Sequence, residues 1–215
     1  MSGDGGITAL TGLLTLSGDN TYTGVTDVRG FADLRVDSAN ALGATGPGND
    51  TRLANVDVTF GNSAGGPFVV PEAITFGTGV SVVTVTNIGP VTLGGVLNFA
   101  STTNFSSQNG SAPLTLAGVL TGPANIGGYL IVIPASAASP DFAGSISGFV
   151  QVDGQVPKAQ VFGGLLTGTG TVGSAHADTG GTISPGGTAV GTLTANNGLG
   201  VQEGRGADFQ FCPAT

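Results

Sequence analysis

The chain has 215 residues, with 40 glycines, 11 prolines, only 8% charged residues and a formal net charge of −8. Five cations (Arg29, Arg35, Arg52, Lys158, Arg205) scattered among 13 acids cannot assemble a basic phosphate-binding surface, which argues against a nucleic-acid partner. The hydrophobic fraction of 40% and mean hydropathy of +0.32 argue equally against a disordered polar chain. Glycine and proline at this density are incompatible with long helices, and the glycines follow no every-third-residue rule that would mark collagen. One cysteine, Cys212, precludes an internal disulfide and Cys-rich zinc sites. No run of 18 apolar residues is present, so no membrane-inserting helix is expected.

In chain order, strand signals begin with ITAL and LLTL between Ile7 and Leu16, followed by a turn cluster, Ser17–Tyr22. Thr23–Val28 and Phe31–Val36 alternate polar and apolar residues as half-buried strands do. Ser38–Asp50 reads as a loop or a cap over a coil edge. Further strand signals fall at Leu53–Phe60, Phe68–Val70, Ala73–Phe76, Val80–Thr86 and Val91–Phe99. Thr102–Ala112 is polar and reads as a loop. Strand signals return at Leu114–Leu120 and Tyr129–Ile133, separated by the loop Ala135–Pro140 from Phe142–Val152 and Gln160–Leu166. Gly163–Asn196 is a run of short apolar segments between glycine-rich corners, and Val201–Phe211, with Phe209 and Phe211, closes the chain.

Strand centres recur at irregular intervals of roughly 15 to 27 residues, as in solenoid coils. A sandwich or barrel would show tight Asn-Gly or Asp-Gly hairpins between long alternating strands. Asn109-Gly110, Asn197-Gly198 and Asp153-Gly154 join no such strands. Short strands separated by Gly, Asn, Asp and Ser corners instead predict an all-β, right-handed single-stranded parallel β-helix, a single domain over 1–215 of about nine coils.

The string LLTLSGDNTYTGVT at 13–26, continued by VRGFADLRVDSANALG at 28–43, resembles the strand repeat of bacterial autotransporter passenger domains. GGLLTGTGTV at 163–172, GGTISPGG at 180–187 and VGTLTAN at 190–196 resemble a segment near the C-terminal end of such passengers. These matches cover about a third of the chain. Residues 50–160 share only their texture, and neither a signal peptide nor a translocator barrel is visible. The resemblance implies a fragment of a longer exported passenger, at the cell surface or secreted.

Little in the sequence points to chemistry. Gly168–Gly173 fits GxGxxG, but SAHADTGGTISPGG follows where a dinucleotide site needs a helix. Gly61–Gly65 fits GxSxG around Ser63, with Asp141 or Asp153 and then His176 in hydrolase order, yet Pro67 and Pro71 interrupt the required helix. The single His and Cys and the scattered acids make no metal site. Polysaccharide cleavage needs paired carboxylates facing a groove, and the acids are spread singly. Thr-x-Thr pairs (Thr21/Thr23, Thr84/Thr86, Thr167/Thr169/Thr171, Thr192/Thr194) admit an ice-binding array, although Thr also simply suits exposed strands. Tyr22, Phe60, Phe68, Phe76, Phe99, Phe105 and Tyr129 are either a sugar-binding ladder or core stacking.

The expected function is therefore a non-catalytic structural or adhesive module, with no catalytic, cofactor-binding or metal residues assigned and no cofactor. Its partner is an unidentified surface ligand, glycan or protein, or another copy of itself. The alternatives are a carbohydrate-binding or polysaccharide-degrading β-helix and an ice-binding solenoid.

Overall fold

The computed structural model describes residues 1–61, 65–77 and 81–201. The described residues contain strands and turns but no helix, and every strand pair is parallel. The chain is a parallel β-helix of about nine turns, roughly 45 Å long at ~4.8 Å per coil. Three sheets run along it. Sheet 1 stacks Ile7–Ala9, Thr26–Arg29, Thr51–Ala54, Ile74–Phe76, Leu97–Phe99 and Leu120–Thr121. Sheet 2 begins with Leu13–Leu16, Asp33–Val36, Val56–Phe60, Ser81–Asn87, Thr103–Ser107 and Ala124–Gly128. It continues through Ser145–Ile146, Gln155–Val161 and Thr171–Ala177, which pairs with both Thr194–Ala195 and Leu199–Val201. Sheet 3 stacks Phe68–Val70, Val91–Leu93, Leu114–Leu116, Ile131–Ile133, Phe149–Val152, Leu165–Gly168 and Thr182–Pro185.

Each strand is too short to bury a core alone, and stacking supplies it. Phe68–Val70, Ile74–Phe76, Val91–Leu93, Leu97–Phe99 and Leu114–Leu116 all place their outer two residues inward and the middle one outward. Because the register is in step, each inward residue sits beside another: Ile74 against Leu97 and Leu97 against Leu120. The inward columns form one continuous apolar core.

The rod tapers. Through its middle it is three-sided and a coil takes 22 or 23 residues, as the Ser81–Thr103 and Asn98–Thr121 hydrogen bonds across coils show. Sheet 1 ends at Leu120–Thr121, and beyond it the coils have two sheets and shorten to 16 residues, the separation of Asp153 from Thr169. Side-chain size follows the cross-section. Phe60, Phe76, Phe99, Phe105 and Phe142 fill the wide part, with Phe76 and Phe99 stacked 5.0 Å apart and Phe105 edge-on to Phe76 at 5.2 Å. In the narrow part the inward residues of sheet 2 are smaller: Ala159, Ala175 and Ala177 beside Val156, Val161 and Val172.

The taper leaves the last strand of sheet 1 without a strand to receive its hydrogen bonds. The loop Ala135–Pro140, read as such in the sequence, lies under it, with Ala137 and Ser139 buried and the other four residues exposed. Ser139 is fully buried, and its Oγ accepts the Leu120 N–H at 2.9 Å. Ser139→Ala should leave that N–H unpaired and lower stability by about 2 kcal/mol, read from the urea midpoint.

Some sequence expectations are corrected. Thr102–Ala112 is not a loop, because Thr103–Ser107 is a strand of sheet 2. Its inward residues Thr103 and Ser107 are polar, which hid the alternation. They are satisfied inside by the Ser81 hydroxyl and the Tyr129 carbonyl, while Phe105 joins the aromatic cluster. Leu53–Phe60 is two strands separated by a corner at Asn55, whose φ of 55° an asparagine tolerates. Val91–Phe99 is likewise broken by the corner Gly94–Val96. Ser38–Asp50 is not wholly displayed, since Ala41 and Leu42 enter the core. The closing segment Val201–Phe211 lies outside the described residues after Val201. One corner requires glycine along the rod: Gly128, Gly148 and Gly164 stack so closely that a Cβ on Gly148 would meet the Gly128 oxygen at 2.4 Å, and one on Gly164 the Gly148 oxygen at 2.3 Å.

Candidate functional site

The corner packed with glycine brings together side chains far apart in sequence. Tyr129 follows Gly128 and Phe149 follows Gly148, and their rings stack at 5.8 Å with an interplanar angle of 16°. Both are exposed, at 50% and 42%. Phe149 lies opposite Leu165 in the next coil, so the apolar column continues along the rod axis. Two residues further along each strand runs a polar column: Gln151 lies opposite Thr167, and Thr167 opposite Ser184. At the edge of this face, Asp153 Oδ1 accepts from the Thr169 backbone N–H at 2.9 Å and hydroxyl at 3.2 Å, and its Oδ2 accepts from Gln151 Nε2 at 2.5 Å. A cavity of about 580 Å³ lies over these residues. The buried Thr167 hydroxyl has no hydrogen-bond partner among the described residues. Among the described residues neither a lysine nor an arginine lines the cavity or the apolar hollow beside it.

A second hollow, of about 180 Å³, lies on sheet 2 between Phe31, Asp33, Asn55, Asp57 and Val82. The coil register puts Asp33 directly beside Asp57, a carboxylate pair the sequence shows only as two single acids. Phe31 at its rim is 85% exposed and held at φ 70°, a region costly for a bulky side chain. Phe31→Gly should relieve this and raise stability by about 1 kcal/mol, measured as an upward shift in denaturation midpoint.

Near the N-terminal end, a corner buries several polar groups. The Thr26 hydroxyl donates to the Leu42 carbonyl at 3.3 Å, so the Tyr22 phenol, 2.5 Å away, donates to Thr26. Burial pushes the Tyr22 phenol up, the Thr26 bond opposes this, and the nearby Glu72 carboxylate adds to it. Glu72 is itself buried, and burial, reinforced by Asp50, raises it from 4.5 to about 7. The Thr51 hydroxyl beside this corner is buried without a partner among the described residues.

The other sequence candidates are dispersed. His176 pairs with Asp178 at 3.3 Å on the outside of the rod, Asp141 is in an exposed turn, and Ser63 lies outside the described residues. Gly168 is a corner and Thr171–Ala177 a strand, so the GxGxxG string opens no helix. Tyr22, Phe60, Phe68, Phe76, Phe99 and Phe105 are buried. Tyr129 alone of the aromatic set is exposed, and its stacking partner Phe149 was missed because the two are neighbours only across coils. The Thr-x-Thr pairs form no continuous array: Thr84 lies opposite Asp57 and Ser106, and Thr167 opposite Gln151 and Ser184, although Thr171 does face Thr194. Sheet 2 instead carries a polar ladder in which Asn125 Nδ2 donates to Asn104 Oδ1 and the Ser145 hydroxyl donates to Asn125 Oδ1. Among the described residues no group of three or more His, Cys, Asp or Glu is placed to hold a metal ion, and no helix is long and apolar enough to cross a membrane.

Comparison with protein-family models, curated proteins and solved structures gives no match.

Proposed function

We propose that this chain is a non-catalytic structural or adhesive module, a rigid β-helix segment of the autotransporter-passenger type, secreted or held at a cell surface. The observation that carries this reading is the character of the outward-facing columns. They present uncharged hydrogen-bonding groups, such as Asn104–Asn125–Ser145, and exposed apolar groups, such as Tyr129–Phe149, on a continuous stack of coils. The passenger-like string supports it too. Most of its apolar positions, Leu16, Tyr22, Leu34, Val36, Ala41 and Leu42 among them, are buried in the first coils, while Leu13 and Phe31 are exposed. A rod of this kind acts mechanically, holding a recognition surface at a fixed distance from its point of attachment.

The Asp33–Asp57 pair favours a second reading, polysaccharide cleavage, in which one carboxyl protonates the leaving oxygen and the other attacks or activates water. Incubating the purified chain with intact cells and, separately, with a polysaccharide panel distinguishes the two. Saturable cell binding without release of reducing ends is expected. Turnover abolished by Asp33→Asn or Asp57→Asn would replace the adhesive reading with the enzymatic one.

A further inference from the structure

We infer that the outer face of sheet 3 in the narrow half of the rod is a binding site for an uncharged, extended oligosaccharide lying along the rod axis. The inference rests on the adhesive reading and gives it a ligand class. The face is divided lengthwise. Tyr129 and Phe149 stack on one another from coil to coil and offer a half-exposed apolar column against which the C–H groups of a sugar ring can pack. Gln151, Thr167 and Ser184 form the parallel polar column, in line from coil to coil, where ring hydroxyls would fall. One side of an oligosaccharide is thus met by apolar contact and the adjacent edge by hydrogen bonds.

Three observations select this occupant over a protein or a second copy of the chain. First, the polar column is pre-positioned. Asp153 takes the Gln151 amide N–H and fixes its orientation, so the Gln151 carbonyl is turned to accept, and the carboxylate also fixes Thr169. Secondly, an open cavity of about 580 Å³ lies over the polar column, with Gln151, Thr167 and Ser184 all in its lining, so ring hydroxyls have room to reach it. Thirdly, among the described residues the one charge lining the cavity is the Asp153 carboxylate, with no lysine or arginine, which disfavours anionic polymers and leaves neutral sugars. The spacing is set by the fold, since Phe149 and Leu165 on the apolar side and Gln151, Thr167 and Ser184 on the polar side follow one another from coil to coil at ~4.8 Å, so the site suits a chain of several sugars rather than a monosaccharide.

The test is titration of the full chain with neutral hexasaccharides of β-1,4-glucose, β-1,3-glucose, β-1,4-mannose and α-1,4-glucose, with hexagalacturonate as the anionic counterpart. Binding is followed by calorimetry and by tyrosine emission. The chain has no tryptophan and two tyrosines, of which Tyr22 is buried and Tyr129 exposed, so emission reports on the site itself. At least one neutral hexasaccharide should bind and perturb Tyr129. Phe149→Ala and Gln151→Ala should each weaken binding about tenfold, with unchanged far-UV circular dichroism. Thr92→Ala, on the same sheet but nearer its other end, should have no effect. The inference is overturned if no neutral hexasaccharide binds at millimolar concentration, if hexagalacturonate binds more tightly, or if both site variants bind normally. A dimer in sizing experiments that Phe149→Ala dissociates would also overturn it, by making the face a self-association surface. Cell binding unaffected by either site variant would remove this site and leave the adhesive reading standing. Hexasaccharide binding without cell binding would keep the site and remove adhesion.

Discussion

Phe99→Ala should destabilise the chain by about 3–5 kcal/mol, the largest loss expected of any single truncation in the core. Phe99 is the hub of the aromatic cluster. It stacks on Phe76 at 5.0 Å, meets Phe105 edge-on at 6.1 Å and reaches Phe142 at 6.0 Å. These four side chains come from three coils, Phe99 and Phe105 lying on consecutive strands of one, and fill the lumen where it is widest, around the end of sheet 1. Backbone hydrogen bonds between coils hold the walls apart, so the void left by truncation has little scope to collapse. The position within the rod adds to the effect: in a stack held by nearest-neighbour contacts, a weak middle coil uncouples the two ends. Urea unfolding followed by circular dichroism should show a lower midpoint. The same truncation at the half-exposed Phe149 should cost less than about 1 kcal/mol. Equal losses at the two positions would contradict the assignment of Phe99 to the interior.

Glu72→Gln should stabilise the chain by about 3 kcal/mol above pH 7 and leave it unchanged below pH 4. The carboxyl of Glu72 titrates near 7 in the folded chain, against 4.5 when solvated, because burial and the neighbouring Asp50 both disfavour its charge. The folded state therefore holds the proton more tightly than the unfolded state. Between pH 4.5 and 7 it binds more protons than the unfolded chain, so stability falls as pH rises through that window. Above pH 7 both states are ionised and the full penalty is present; below pH 4.5 both are protonated and it vanishes. The amide of Gln has no proton to lose and should flatten this dependence. Urea midpoints of both chains from pH 4 to 8.5 check it: converging curves at low pH and diverging curves at high pH are expected, and parallel curves would place Glu72 in contact with water.

Much of the architecture was legible because the inward columns are written into short local patterns. Ile74-Thr75-Phe76, Leu97-Asn98-Phe99 and Leu114-Thr115-Leu116 each carry the in-out-in alternation within three residues, and glycine-rich corners separate them. The alternation fails where the interior is polar. Thr103–Ser107 buries Thr103 against the Ser101 carbonyl and the Ser81 hydroxyl and Ser107 against the Tyr129 carbonyl, and no apolar pattern in the segment reveals that they point inward. The candidate site was less legible for a related reason. Tyr129 and Phe149, Gln151 and Thr167, and Asp33 and Asp57 become neighbours only through the register between coils. That register changes as coils shorten from 23 to 16 residues, so no fixed period recovers it. The taper was hidden too, because the segment replacing sheet 1 is held by a side chain, Ser139, rather than by a strand.

The parallel, in-step stacking of coils is tested most directly by a disulfide across sheet 3. Thr92 and Thr115 are register partners on adjacent parallel strands, both with their side chains on the outer face. At ~4.8 Å between strands they fall within the separation a disulfide spans. In a chain carrying Cys212→Ser, the pair Thr92→Cys and Thr115→Cys should oxidise to a single intramolecular bridge and raise the urea midpoint, whereas Thr92→Cys with Asn98→Cys, on two different sheets, should stay reduced. A folded chain in which the first pair stays reduced and the second closes would contradict the stacked-coil structure on which both the taper and the binding face depend.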